Sequence, residues 1–284
     1  MSAPTPERNA PASVRLQAQA RPPGLLEAAA ARLGTGLIED HLVVRGSRPS
    51  VGVPTTRGTW VRISWHPPSR VFSREFSGLE ASMAVLGVPK PSFIQAVHWM
   101  NDGLVCRAEE MTLIHEPTVS TGYILDKAPK LTEQWWENLS AALEYLARTD
   151  TDRVSLVQED IDRSIREAFG ISIDTTVSDW VIGHGDLHWA NLTAPRLFLL
   201  DWDSWGMMPR GLDAAKLWES AFRVPDFAEE ITERLDPSLT CRDGKLSLLW
   251  VCANRILGAR RRGRATDQTE HAHRTGESLL AELS

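Results

Sequence analysis

The chain has 284 residues, enough for one large domain or two lobes around a cleft. Hydrophobic residues make up 42% and charged residues 24%, which is the balance of a soluble globular protein, and a net charge of −6 argues against nucleic acid as the main partner. The three cysteines form no CxxC pair, and no apolar run reaches the ~20 residues that span a bilayer. We therefore expect a cytoplasmic protein that binds neither nucleic acid nor a membrane.

The sequence pattern of the first 110 residues predicts a β-rich region. Residues 1–22 are rich in Ala, Pro, Arg and Gln and indicate a disordered leader. A helix is predicted over residues 25–33, and a second, longer helix from Ser73 to Leu86. Strands are predicted at 42–45, 50–53 and 59–65, with hairpin turns at Arg57-Gly58 and at Asn101-Asp102-Gly103.

After Pro117 the pattern becomes helical. Apolar residues recur every three or four positions across 131–150, which predicts a long amphipathic helix. Further helices are predicted at 156–169, 211–223, 226–235, 243–262 and 267–282. Only residues 181–203 interrupt them with strand character. The sequence thus predicts an α+β protein with a β-rich front and a helical back.

Polar side chains concentrate in the stretch VIGHGDLHWANLTAPRLFLLDWDSWG, residues 181–206. Polar groups at buried positions cost free energy unless something pairs with them, so either the fold or a ligand must satisfy them. If RLFLLDWD is a strand, Asn191 and Asp201 come to neighbouring strand ends and offer two oxygen ligands. Mg²⁺ suits such a site, because phosphates and water complete its shell. Asp186 would then accept a hydrogen bond from an incoming hydroxyl, while Asp203 is a weaker candidate for a second carboxylate ligand.

These residues carry a family resemblance. His184-Gly185-Asp186, Asn191 and Leu200-Asp201-Trp202 resemble the signature of the aminoglycoside phosphotransferases and their choline-kinase-like relatives. Asp213-Ala214-Ala215, which follows a turn containing Gly and Pro, continues the resemblance. It implies a bilobal, protein-kinase-like α+β fold, with a small β-rich N-lobe that contains one long helix and a larger, mostly helical C-lobe.

The resemblance also implies a role for each matched residue. Asp186 would be the catalytic base or would position the acceptor. Asn191 and Asp201 would hold Mg²⁺ on the phosphates of ATP. His184 and Asp213 would support the loop structurally, and His188 is given no chemical role.

The N-lobe, residues 23–110, would bind the nucleotide. A kinase-like lobe places a loop over the phosphates, and Gly46 and Ser47 are the residues assigned to it. The backbone of residues 107–113 would hydrogen-bond the adenine. The sequence leaves the choice between ATP and GTP open.

The strand cation departs from the family pattern, because residues 1–89 contain no lysine. Arg62 would take its place, since a guanidinium can pair with both phosphate and carboxylate. Glu75 is the predicted helix glutamate that holds this cation, with Glu80 as the second choice.

The C-lobe, residues 111–284, would contain the catalytic loop and the acceptor site. Glu219, Asp226 and Trp218 are candidates to line that site. The resulting hypothesis is a monomeric, ATP- and Mg²⁺-dependent phosphotransferase that moves the γ-phosphate to a hydroxyl of a small molecule. An aminoglycoside or another antibiotic is the leading acceptor, in resistance or self-protection.

Three alternatives stay open at this point. A metabolic kinase for an amino alcohol or a sugar would carry the same motifs. A kinase-like protein that only binds its ligand would explain the missing N-lobe lysine. Finally, His184, Asp186 and His188 alternate, so a strand would put all three on one face as a zinc hydrolase site.

Overall fold

The computed structural model describes residues 21–44, 49–70, 74–171 and 173–283, with the side chains of 70, 74 and 75 excepted. The predicted leader, apart from residues 21 and 22, and the loop residues Gly46 and Ser47 lie outside this part. The chain divides into two compact units. The first comprises the described residues up to Met83 together with Pro91–His115, and the second comprises Ala84–Lys90 and the described residues from Glu116 onward. The predicted boundary after residue 110 falls five residues before the end of the first unit.

The first unit is built on an antiparallel sheet. Its five described strands lie in the order β1-β2-β3-β5-β4. They are β1 (Val43–Val44), β2 (Ser50–Pro54), β3 (Thr59–His66), β4 (Phe93–Asn101) and β5 (Leu104–Thr112). Both predicted hairpin turns are confirmed, since β2 pairs with β3 and β4 pairs with β5. Asp102 and Gly103 have φ values of 48° and 75°, and a tight two-residue turn of this hand requires positive φ at both positions.

Helix α1 (Leu25–Leu33) covers one face of this sheet, within the predicted bounds. Its buried face includes Leu26 and Ala29, which pack with the strand residues Val61 and Ile63 in one apolar core. Side chains on β3 alternate between buried and half-buried positions, because successive residues of a strand point to opposite faces. The sheet is thus fixed in register by burial on the helix side.

The predicted long helix from Ser73 to Leu86 is wrong. The described residues form a 3-10 turn at Arg74–Ser77, the short helix α2 (Gly78–Ala81) and another 3-10 turn at Ser82–Ala84. The Ser82 hydroxyl donates to the Leu79 carbonyl oxygen at 2.7 Å, and serine side chains that bond locally in this way compete with regular helix. In the described part of the first unit, α1 is therefore the longest helix.

The second unit is mostly helical. Its described helices are α3 (Glu133–Ala147), α4 (Gln158–Phe169), α5 (Leu212–Ser220), α6 (Pro225–Arg234), α7 (Arg242–Arg262) and α8 (Asp267–Leu283). They confirm the six predicted helices, with ends that differ by a few residues. An aromatic cluster of Trp135, Trp136, Trp189 and Phe227 joins α3 and α6 to the segment that carries the polar motif. No described helix combines the length and the apolar character that a bilayer crossing needs.

The strand character predicted over 181–203 is only partly correct. Strand β6 (Trp180–Gly183) ends before His184, and it pairs with β7 (Gly206–Pro209) rather than with RLFLLDWD. In that stretch only Leu199 is bridged, to Leu192, while Asp201 is left-handed and Trp202–Ser204 form a 3-10 turn. The polar motif thus occupies the long connection between two short paired strands.

Candidate active site

The loop after β6 is held by a carboxylate on α5. The Asp213 carboxylate oxygens accept the backbone N–H of His184 at 2.6 Å and that of Gly185 at 2.9 Å. The His184 ring is fully buried, and its Nε2 lies 2.9 Å from the carbonyl oxygen of Leu200. The fold itself therefore satisfies these buried polar groups, and the loop is fixed from two directions.

Glycine is required at position 185. Its φ is +78°, in the left-handed region. A Cβ built there would lie 2.3 Å from the carbonyl oxygen of Ser204, so the two backbone segments touch. This close approach brings the loop next to the segment that follows Asp201.

Asp186 and Asn191 are joined by a hydrogen bond. The side-chain amide nitrogen of Asn191 donates to the backbone carbonyl oxygen of Asp186 at 2.9 Å. Asn191 is fully buried, whereas the Asp186 side chain is 20% exposed. The loop thus closes on itself over five residues and leaves the Asp186 carboxylate within reach of solvent.

Asp201 is brought to the same place by the backbone. The N–H of Leu200 donates to the carbonyl oxygen of Asn191 at 2.8 Å, and Asp201 is the next residue. Asp201 has φ 64° and ψ 68°, a left-handed conformation that is uncommon for a residue with a side chain. Strained backbone of this kind is concentrated at functional sites. The backbone of Asp201 therefore lies beside Asn191, whose side chain bonds to Asp186.

The donor set of this cluster suits a hard divalent cation. Oxygen ligands from one carboxylate and one amide are the type that Mg²⁺ uses when phosphates complete its shell. Among the described residues, no group of three or more His, Cys, Asp or Glu side chains could hold a metal ion. Because β6 ends at Gly183, residues 184–188 are not a strand with three ligands on one face, and the zinc hydrolase alternative is wrong.

Lys216 is a site residue that the sequence analysis missed. Its Nζ lies 3.1 Å from Oδ1 of Asp186 and 2.5 Å from the carbonyl oxygen of Gly185. It follows Asp213 by three positions on α5, and residues so spaced share one face of a helix. The spacing of Lys216 from Asp213 was the feature of the sequence that could have identified it.

Glu219 is an internal anchor rather than an exposed ligand group. Its carboxylate is 1% exposed, accepts two hydrogen bonds from Arg255 at 2.8 and 2.9 Å, and accepts the Tyr123 hydroxyl at 3.0 Å. Burial and the negative charge of Glu219 raise the pKa of Tyr123 well above its usual value. Of the other acceptor-site candidates, Trp218 packs against the ring of His271 and Asp226 is exposed at the start of α6.

Arg62 lies in the first unit and pairs across the sheet. Its Nε and one terminal nitrogen donate to Oε2 of Glu109 at 3.1 and 2.7 Å, and the two residues are register partners on β3 and β5. Glu80, the second choice for a helix glutamate, instead accepts from Arg107 at 2.8 Å. The side chain of Glu75 lies outside the described residues. Sequence reasoning missed Glu109 because only the strand pairing places it beside Arg62.

Comparison with known proteins links this geometry to a fold. No protein-family model matches the sequence, and no curated protein matches it. Solved structures do match over nearly the whole chain. The amicoumacin kinase hAmiN, in complex with AMP-PNP, Ca²⁺ and Ami, matches with a TM-score of 0.61 at 12% sequence identity. The match covers 95% of this chain and 96% of that chain.

Two further structures agree. A thermostable mutant of aminoglycoside phosphotransferase APH(4)-Ia has a TM-score of 0.63 at 10% identity, with 90% of this chain and 98% of that chain covered. A microcompartment-associated aminopropanol kinase has a TM-score of 0.55 at 14% identity, with 89% and 94% covered. The chain therefore has the α+β fold of protein-kinase-like small-molecule kinases, as the sequence predicts.

Proposed function

We propose that this protein is a small-molecule phosphotransferase that moves the γ-phosphate of ATP or GTP to a hydroxyl group of its acceptor. The observation that carries the proposal is the placement of Asp186, Asn191 and Asp201. The Asn191 amide donates to the Asp186 carbonyl oxygen at 2.9 Å, and the Asn191 carbonyl oxygen accepts at 2.8 Å from Leu200, the neighbour of Asp201. Phosphoryl transfer needs an acceptor-positioning carboxylate beside oxygen ligands for a divalent cation, and these three residues supply both. The shared fold of solved small-molecule kinases supports the same reading.

Asp186 would act on the acceptor. Its half-buried carboxylate would accept the hydrogen bond of the incoming hydroxyl and align that oxygen for in-line attack. The Asp213 carboxylate keeps the loop in place while this happens, because it holds two consecutive backbone N–H groups. Catalysis would then depend mainly on positioning and on charge neutralisation.

Asn191 and Asp201 would hold the divalent cation, which we propose to be Mg²⁺. The nucleotide would supply the phosphoryl group, and the bound cation would neutralise part of its negative charge. Arg62 would contact the nucleotide phosphates while Glu109 fixes its guanidinium group. The nucleotide site is further predicted to include Gly46, Ser47 and Glu75. A cytoplasmic location and a monomeric state also stay predictions.

The acceptor is proposed to be an antibiotic with free hydroxyl groups, an aminoglycoside first. Two of the compared structures are antibiotic kinases by name, hAmiN and APH(4)-Ia. A metabolic amino alcohol is the second candidate, and the aminopropanol kinase is the comparison that favours it. The fold alone does not choose between them.

A nucleotide-consumption screen tests the proposal. The purified protein is incubated with Mg²⁺ and ATP or GTP against a panel of antibiotics and small amino alcohols. Asp186→Asn is the blank, because it keeps the size of the side chain and removes the carboxylate charge. We expect at least one acceptor whose phosphorylation falls by ~10³-fold or more in the variant. Nucleotide binding without turnover on any acceptor would instead identify a non-catalytic binding protein.

A further inference from the structure

Helix α5 contacts the catalytic loop through two side chains of opposite charge. Asp213 accepts two backbone N–H groups of the loop, and Lys216, one helical turn later, donates to the carbonyl oxygen of Gly185 at 2.5 Å. The same Nζ lies 3.1 Å from Oδ1 of Asp186. The sequence assigns Lys216 no role, and the chemistry described so far does not use it.

We propose that Lys216 is the cation that contacts the terminal phosphoryl group during transfer. This inference rests on the proposed function, and it adds a binding residue to that site. The ammonium group has three N–H donors. Among the described residues, two oxygen partners use two of these donors, which leaves the third for an oxygen of the incoming phosphoryl group.

Charge and burial support this role. The Lys216 and Asp186 side chains are 17% and 20% exposed, so both lie at the edge of the interior and within reach of a ligand. Electrostatic interactions strengthen as water is excluded, and the transferring phosphoryl group carries its charge on oxygens next to the attacking hydroxyl. Because Lys216 contacts the Asp186 carboxylate, which would bind the attacking hydroxyl, it is placed next to the phosphoryl group that is transferred.

A merely structural role makes a different prediction. If Lys216 only holds the loop, its removal should affect all ligands of the site alike. If it contacts the terminal phosphoryl group, the loss should be confined to nucleotides that carry a third phosphate. Triphosphate-against-diphosphate selectivity thus separates the two roles, and it requires no turnover.

Calorimetric titration provides the test. Dissociation constants for AMP-PNP and for ADP are measured with Mg²⁺ in the wild type, in Lys216→Met and in Lys216→Arg. Lys127→Met is the matched control, because Lys127 is exposed in the same unit. We expect Lys216→Met to bind AMP-PNP about tenfold more weakly with ADP binding changed less than twofold, the size of one lost charged hydrogen bond. Lys216→Arg should recover part of the loss.

A second measurement uses the wild type alone, in case the variants fail to fold. The chain has five lysines, so their side-chain ¹⁵N signals can be resolved by NMR. Addition of AMP-PNP should shift the Lys216 signal more than addition of ADP does. Equal shifts, or equal losses of both nucleotides in Lys216→Met, would overturn the inference and leave the proposed function standing.

The remaining outcomes separate the two proposals. Selective loss of AMP-PNP binding together with no phosphorylated acceptor would support a contact of Lys216 with the terminal phosphate of the bound nucleotide and contradict the phosphotransferase activity. Failure of the wild type to bind either nucleotide would overturn both.

Discussion

The backbone N–H of Leu200 donates to the carbonyl oxygen of Asn191 at 2.8 Å, and this bond sets Asp201 beside Asn191. Around this bond, the two segments form a single isolated β-bridge, between Leu192 and Leu199. Two residues ten positions apart are therefore aligned without a regular strand between them.

Replacing Asn191 should raise the Mg²⁺ concentration that activity requires. Asn191→Ala removes one proposed oxygen ligand and the hydrogen bond to the Asp186 carbonyl oxygen. We expect the Mg²⁺ concentration for half-maximal activity to rise by ~10-fold or more, since losses of this size follow even from indirect changes around a metal. Metal titration of activity checks this, with Asn138→Ala on α3 as a control. An unchanged Mg²⁺ requirement would contradict a ligand role.

Gly185→Ala should disrupt the loop. A methyl group would meet the Ser204 carbonyl oxygen at 2.3 Å, and the +78° φ adds backbone strain. We expect the free energy of unfolding to fall by at least ~2 kcal/mol, together with activity. Chemical denaturation measures the effect. Gly122→Ala is the matched control in the same unit, because nothing lies within 4 Å of its added Cβ and its φ is not left-handed.

Glu110 should give the first unit a pH-dependent part of its stability. Burial raises the pKa of Glu110, but hydrogen bonds from Thr59, Gln95 and Arg57 outweigh it and lower the pKa below the usual 4.5. The folded state then binds fewer protons than the unfolded state. This contribution is present above pH 4.5 and is lost as the pH falls through the folded-state pKa.

Glu110→Gln tests that contribution. At pH 7 the variant should be about 2 kcal/mol less stable, because three hydrogen bonds to a buried carboxylate are weakened. The difference from the wild type should shrink as the pH falls below about 4. Denaturation curves across pH measure it, and Glu27→Gln, at an exposed position in the first turn of α1, should change the stability by no more than ~1 kcal/mol at any pH. A difference that is constant with pH would refute the account.

Glu219 should matter for stability rather than for acceptor binding. Glu219→Ala leaves the Arg255 guanidinium without its buried partner, and breaking such a pair costs about 3–5 kcal/mol. We expect a lower melting temperature, whereas the KM for the acceptor stays within about twofold in the more conservative Glu219→Gln. Asp226→Asn, at an exposed position, should change neither quantity. A raised acceptor KM at unchanged stability would restore Glu219 as a ligand group.

Local patterns were enough to predict much of this fold. The Asn101-Asp102-Gly103 turn and the helix closed by Gly34 rest on conformations that few residues adopt, so they could be identified from neighbouring letters alone. The spacing of Asp186, Asn191 and Asp201 predicted one site. The backbone of Leu200, next to Asp201, does pair with Asn191, and the roles of the three residues stay predictions.

One error arose from a local side-chain bond, and the others arose where contacts between residues distant in sequence decide the outcome. A helix over 73–86 fits the local pattern, but the Ser82 hydroxyl bonds to the Leu79 carbonyl oxygen and the segment breaks into short turns. Glu109 is the partner of Arg62 only through strand register, which composition does not reveal. Glu219 has the charge expected of a ligand for a cationic acceptor, yet the fold surrounds it with Arg255 and Tyr123.

The position of α5 has a consequence for engineering. Leu217 is fully buried next to Lys216, and its carbonyl oxygen accepts the indole N–H of Trp189 at 3.1 Å. Shortening the Leu217 side chain would shift the helical turn that carries Asp213 and Lys216, since close-packed interiors transmit small displacements. Screening for altered turnover should thus also recover mutations in this part of the apolar interior.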